Sequence, residues 1–191
     1  MSADTKNSRW NQLFELASAQ HGMVTTKQAA AAGYSPQLIH HHVAGGRLKR
    51  LRHGLYRLVH FPANEHEELT EIWLWSEQVG VFSNQTALLL HNLSDVLPSQ
   101  AHITLPESWR RRRLRVPKRV VLHYGDVSEA EKTWFGVVPM TTVLRTLQDC
   151  ARDSLSPELL LQATKQALRR GLVTKDRLGD VKTALKGYGR I

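Results

Sequence analysis

The sequence predicts an α+β chain in two parts, on three observations. Residues 25–58, TTKQAAAAGYSPQLIHHHVAGGRLKRLRHGLYRL, read as helix, tight turn, helix, then a basic two-stranded hairpin. Beyond residue 80, short strand patterns at Val81–Ser83, Ala101–Leu105, Val120–Tyr124 and Thr133–Val138 are interspersed with helical ones. Positive charge is concentrated ahead of the strands: residues 1–62 hold 8 Lys/Arg against 2 Asp/Glu, within a chain of net charge +9. The first order of elements is that of an N-terminal winged helix-turn-helix, and the second that of a mixed α/β C-terminal domain. The expected division is residues 1–62 and 63–191, joined by a linker at Phe61–Asn64.

Residues 1–7 are polar and expected to fray. Ser8–Gln20 should form the opening helix, with Trp10, Leu13, Phe14 and Ala17 at helical spacing. Met23-Val24 is a short strand beside the hairpin. The next helix starts at Thr25 or Thr26, because Gln28 stands three residues after Thr25, as a capping box requires. Gly33 ends it in a left-handed conformation. Ser35 caps the helix Pro36–Ala44, with Pro36 at the first position, where a missing N–H is harmless. Ile39 and Val43 then share the inward stripe, and Gln37, His40 and His41 face away from it. Gly45-Gly46 stops this helix. Leu48–Arg52 and Leu55–Leu58 pair around His53-Gly54.

These residue types suit duplex DNA. Gln and His near a helix N-terminus can hydrogen-bond base edges in a major groove, and Ser35 with that N-terminus can hold a phosphate. Thr25, Thr26 and Lys27 open the neighbouring helix. Lys49, Arg50, Arg52, His53 and Arg57 line the hairpin, where phosphates or the minor groove come within reach. The run His40-His41-His42 is no metal site, since adjacent helical residues point about 100° apart and no i, i+4 His pair exists there.

In the second part, Glu65–Gly80 and Asn84–Leu93 read as helices, the first with an acidic opening that suits its dipole. Pro106 closes the strand Ala101–Leu105. Arg110, Arg111, Arg112 and Arg113 follow Trp109 and lead to Arg115, Lys118 and Arg119: a second phosphate contact, an acidic-partner surface or a solvated loop. Pro139 should end the strand Thr133–Val138. Thr141 or Thr142 caps a helix through Ala151, Ser156-Pro157 opens one to Arg170, and Thr174 caps a last one to Leu185 before a loose Gly187-Tyr188-Gly189.

Phosphate-cradling GxxxxGK[ST] and GxGxxG loops, HExxH and GxSxG are all missing. Asp126, Glu129 and Glu131 lie near Lys132 but on a turn and helix start, where acidic residues serve structure. No catalytic centre, cofactor or metal is therefore expected. The single Cys150 excludes an internal disulfide and should be a small buried residue on a helix. With no run of about 18 apolar residues and no secretory apolar region, a cytoplasmic protein without a membrane partner is expected. A nuclease fused to the winged helix, a stand-alone regulator and a protein-interaction module are the competing readings.

The stretch GMVTTKQAAAAGYSPQLIHHHVAGGRLKRLRHGLYRL resembles the N-terminal winged helix of AbiEi-type antitoxins of bacterial type IV toxin–antitoxin systems. Thr25, Gly33, Gly46-Arg47-Leu48 and Gly54-Leu55-Tyr56 carry the pattern. SNQTALLLHNLSDVLPSQAHITLP and MTTVLRTLQDCA are similar to two later segments of the family, so most of residues 10–155 is covered. Asn92 stands where the family often has Gly after the position of His91. The resemblance implies a repressor that binds inverted repeats in double-stranded DNA at its own promoter. It also implies a C-terminal part that opposes a nucleotidyltransferase toxin without a stable complex. The oligomeric state stays open, with monomers binding cooperatively as one arrangement.

Overall fold

The computed structural model describes residues 3–188, with side chains from Arg9 onward. It is a mixed α+β fold with a three-stranded and a five-stranded sheet. Contacts divide it into Met1–Gln78 and Val79–Ile191. No helix among the described residues is long and apolar enough to cross a membrane.

In the N-terminal unit, α1 (Ala3–Ser18) starts earlier than the expected Ser8 and buries Leu13 and Ala17. Met1 and Ser2 lie outside the described residues. Strand β1 (Met23–Thr25) follows, and then α2 (Thr26–Ala31) opens on the expected capping box: Thr25 accepts from Gln28 N, and the Gln28 side chain accepts from Thr25 N. Gly33 takes φ +79°, which glycine adopts without steric cost. In α3 (Pro36–Ala44), the Ser35 hydroxyl accepts from Leu38 N at 3.2 Å. Strands β2 (Leu48–Arg52) and β3 (Leu55–Leu58) form the hairpin, and the sheet order is β1-β3-β2, all antiparallel. Leu13, Val24, Ala29, Ile39, Leu48 and Leu58 close one apolar core across these elements.

The expected linker is not one. Phe61 packs on this core, and α4 (Glu67–Trp75) contacts β1 and β3. The division therefore falls after Gln78 and not at residue 62. Glu77 and Gln78, at φ +54° and +66°, end α4 before the expected Gly80.

In the C-terminal unit, β4 (Val81–Phe82), β5 (Ala101–Leu105), β6 (Val120–Tyr124), β7 (Lys132–Phe135) and β8 (Val138–Thr141) lie in the order β6-β5-β4-β8-β7. The single expected strand Thr133–Val138 is instead a hairpin turning at Gly136, φ +56°. Pro139 sits inside β8 rather than ending it. Its only neighbour on one side, β4, is registered at Met140, so the missing N–H leaves no ladder bond unmade there. Helix α5 (Asn84–Leu90) stops short of Leu93 because Asn92 takes φ +53°. Asn supplies there the left-handed residue that glycine usually supplies. Helices α6 (Val143–Arg152) and α7 (Pro157–Arg169) enclose a core with Leu88, Leu93, Leu147, Leu160 and Ala163. Cys150 is buried in it, and burial pushes its thiol up. The last expected helix is broken into a 3-10 turn at Lys175–Arg177 and α8 (Gly179–Ala184). Of the expected tail, Gly189 lies outside the described residues.

Candidate nucleic-acid interface

Helix α3 turns Ile39 into the core at 2% exposure, while Gln37, His40 and His41 are exposed. Gln37 and His41 are one turn apart and share a face. His42 belongs to the opposite side. It stacks on Trp10 at 4.9 Å and lies 5.6 Å from Tyr34. Burial, Arg47 and His41 hold it below the ordinary histidine range. His42 is thus a packing residue, and the three histidines divide into two outward and one inward.

The neighbouring elements supply hydroxyls and cations. Thr25 is committed to its cap, and Thr26 N donates to Gly54 O at 2.8 Å, which brings the hairpin turn against the start of α2. Lys27 is exposed and reaches Glu77 at 3.2 Å. On β2, Lys49 and Arg50 are exposed, and the Arg50 guanidinium lies 3.0 Å from His53 Nδ1. Arg47 lies over the Trp10 ring at 5.2 Å.

Two of the expected hairpin cations have acidic partners within the unit. The hairpin has a bulge between Arg50 and Arg52, so that Arg50 faces Tyr56 and Arg52 faces Leu55. Arg52 thereby takes the ladder position that regular pairing would give Leu51, and it points to the other side of the sheet from Arg50. There it pairs with Glu71 of α4. Arg57, with only 17% of its side chain exposed, pairs with Glu67 one turn earlier on the same helix. Glu67 and Glu71 therefore neutralise two of the hairpin's cations. Their i, i+4 spacing on an acidic helix was the signal in the sequence for this role.

The Arg110–Arg113 run is exposed in the C-terminal unit. Arg110 pairs with Glu107 and lies over Tyr124 at 5.1 Å, and Arg112 lies over Trp109 at 4.0 Å. The nearby acidic residues serve structure. Glu131 accepts from Ser128 and from Arg145 at 2.8 Å, and these bonds hold its carboxyl down to about 2. Glu129 pairs with Lys132 at 2.6 Å. Among the described residues, no group of three or more His, Cys, Asp or Glu is arranged to hold a metal.

A polar cluster in this unit has no local signature in the sequence. His102 Nδ1 lies 3.0 Å from His123 Nε2, His123 Nδ1 lies 3.0 Å from Asp153, and Asp153 accepts from Asn84. Asn84 is buried at φ +49°, a backbone state that L-residues seldom adopt.

Residues 11–59 match the model of the family described as transcriptional regulator, AbiEi antitoxin. Among solved structures, the chain is similar to the RV2827C protein from Mycobacterium tuberculosis, at 15% identity and a TM-score of 0.53, over 93% of this chain and 76% of that one. At that identity the likeness concerns the fold alone. No curated protein matches the chain. The segment that carries α2, α3 and the basic hairpin is thus similar, over residues 11–59, to the AbiEi antitoxin family of transcriptional regulators.

Proposed function

We propose that the N-terminal unit is a winged helix-turn-helix that reads inverted repeats in duplex DNA at its own promoter and represses transcription. The observation that carries this reading is the outward Gln37–His41 face of α3, with Lys49 and Arg50 exposed on the adjoining hairpin. Gln37, His40 and His41 contact base edges. Ser35, at the N-terminus of α3, and Lys27, Lys49, Arg50 and His53 contact the backbone. Arg52 and Arg57 hold the hairpin to α4 and leave the phosphate-binding set. The C-terminal unit is the antitoxin part and opposes a nucleotidyltransferase toxin without a stable complex. The protein acts in the cytoplasm and carries out no chemistry of its own.

Gln37→Ala tests the assignment of α3. It removes one base-reading side chain without touching the core, and should lower the preference for the operator about tenfold. Binding to scrambled DNA should stay the same. Fluorescence anisotropy on both duplexes measures the difference. Equal loss on both would remove Gln37 from base recognition.

A further inference from the structure

A chain of proton-sharing groups crosses the C-terminal unit, independent of how α3 is used. It joins His102 of β5, His123 of β6, Asp153 at the end of α6 and Asn84 at the start of α5. With 3.0 Å between His102 Nδ1 and His123 Nε2, and 5.2 Å between ring centroids, the two imidazoles meet edge to edge. His123 Nδ1 lies 3.0 Å from Asp153, which also accepts from the Asn84 amide.

The partners fix where each hydrogen sits. The Asp153 carboxylate only accepts, so His123 Nδ1 carries the hydrogen between them. Neutral His123 then has its lone pair at Nε2, and His102 Nδ1 carries the next hydrogen. The lone pair at the end of the series is His102 Nε2. A first proton taken up there breaks no bond. The bridging hydrogen passes from His102 Nδ1 to His123 Nε2, and His102 changes tautomer. The positive charge comes to rest on His123, beside Asp153. A second proton has no such place. It puts hydrogens on both facing nitrogens and sets two cations edge to edge.

The surrounding charges leave this balance to Asp153. Arg110, Arg145, Asp149, Arg152 and Asp153 line the cleft at His123. Arg110 pairs with Glu107, and Arg145 and Arg152 both pair with Asp149. From the other sides, β4 and α5 contain no charged residue. Helix α5 presents Thr86, whose hydroxyl accepts from His102 N at 2.8 Å. Burial and His123 hold His102 below the ordinary histidine range, against the pull of Asp153.

We propose that this relay is a pH-sensitive latch that ties the start of α5 and the end of α6 to the β5–β6 edge of the sheet. It stays closed with one added proton and opens with two. The folded chain takes up the second proton less readily than the unfolded one. The unit therefore loses stability as pH falls below the ordinary histidine value.

The test is a pH titration of the full chain by NMR, with isotopically labelled histidine ring nitrogens. Spectra of His102→Gln and His123→Gln assign the two rings. His102 should carry its hydrogen on Nδ1 at alkaline pH and on Nε2 in a window of lower pH. His123 should become doubly protonated in the same step. In Asp153→Asn, the share of the singly protonated relay with its charge on His123 should fall about tenfold. Below the window, amides at the start of α5 and the end of α6 should exchange before those of the core at Leu147 and Leu160. A His102 ring that keeps one tautomer until it is itself charged would overturn the relay. Simultaneous opening of those amides and the core would overturn the latch.

Discussion

Arg145→Ala is expected to destabilise the C-terminal unit by about 3–5 kcal/mol near neutral pH, the usual cost of stranding a buried charge. The Arg145 side chain is 14% exposed and bridges Asp149 at 2.9 Å and Glu131 at 2.8 Å. Without it, Asp149 keeps only the exposed Arg152. Chemical denaturation measures the loss, with amide exchange in α6 to distinguish this unit from the N-terminal one. The pH dependence has a definite sign. Burial already raises Asp149 above the ordinary carboxyl value, although both guanidiniums pull it down. A raised carboxyl favours the folded state at low pH and loses that benefit as pH rises through its folded value. Glu131 works in the opposite sense: held down to about 2, it contributes stability above the ordinary carboxyl value and loses it as pH falls toward 2. Removing Arg145 raises Asp149 further and takes one of the bonds from Glu131. The difference between wild type and variant should therefore be largest near neutral pH and shrink as both carboxyls protonate. A second change, Asp149→Leu, should restore much of the lost stability, because it removes the stranded charge.

Lys49→Glu with Arg50→Glu should lower affinity for any duplex DNA by at least about a hundredfold at moderate salt. It should also reduce the slope of log K against log salt by about 2. Both side chains are exposed on β2 and lie apart from the core, so the fold should persist. Arg57→Ala is the contrast. Arg57 is tied to Glu67 beneath the hairpin, and its loss should appear in thermal stability and leave the salt slope nearly unchanged. Anisotropy across a salt series, beside thermal melts, separates the two effects.

Much of residues 25–58 was legible in the sequence because its signals are local. Caps at Thr25 and Ser35, Pro36 at the first helical position, Gly33 and the two-residue turn at His53-Gly54 each act within a few residues. They place α2, α3, β2 and β3 without help from the rest of the chain. The bulge at Leu51 was not legible, because it depends on how β2 meets β3 and α4. Its effect was to turn Arg52 from a free cation into a partner of Glu71. The hairpin at Gly136 was hidden by Pro139, a residue that usually ends strands and is tolerated here beside a two-residue neighbour. The polar cluster of Asn84, His102, His123 and Asp153 was the least legible feature. Its residues come from α5, β5, β6 and the end of α6, so no spacing in the sequence brings Asn84, His102, His123 and Asp153 together.

If α3 reads sequence and does more than attract a polyanion, the full chain will distinguish the DNA upstream of its own gene from a scrambled duplex of equal length when both are titrated at two salt concentrations. A preference for the upstream DNA that persists at the higher salt is the predicted result. Equal binding to both duplexes that fades with salt would contradict it, leaving only the positive charge explained and α3 without a reading role.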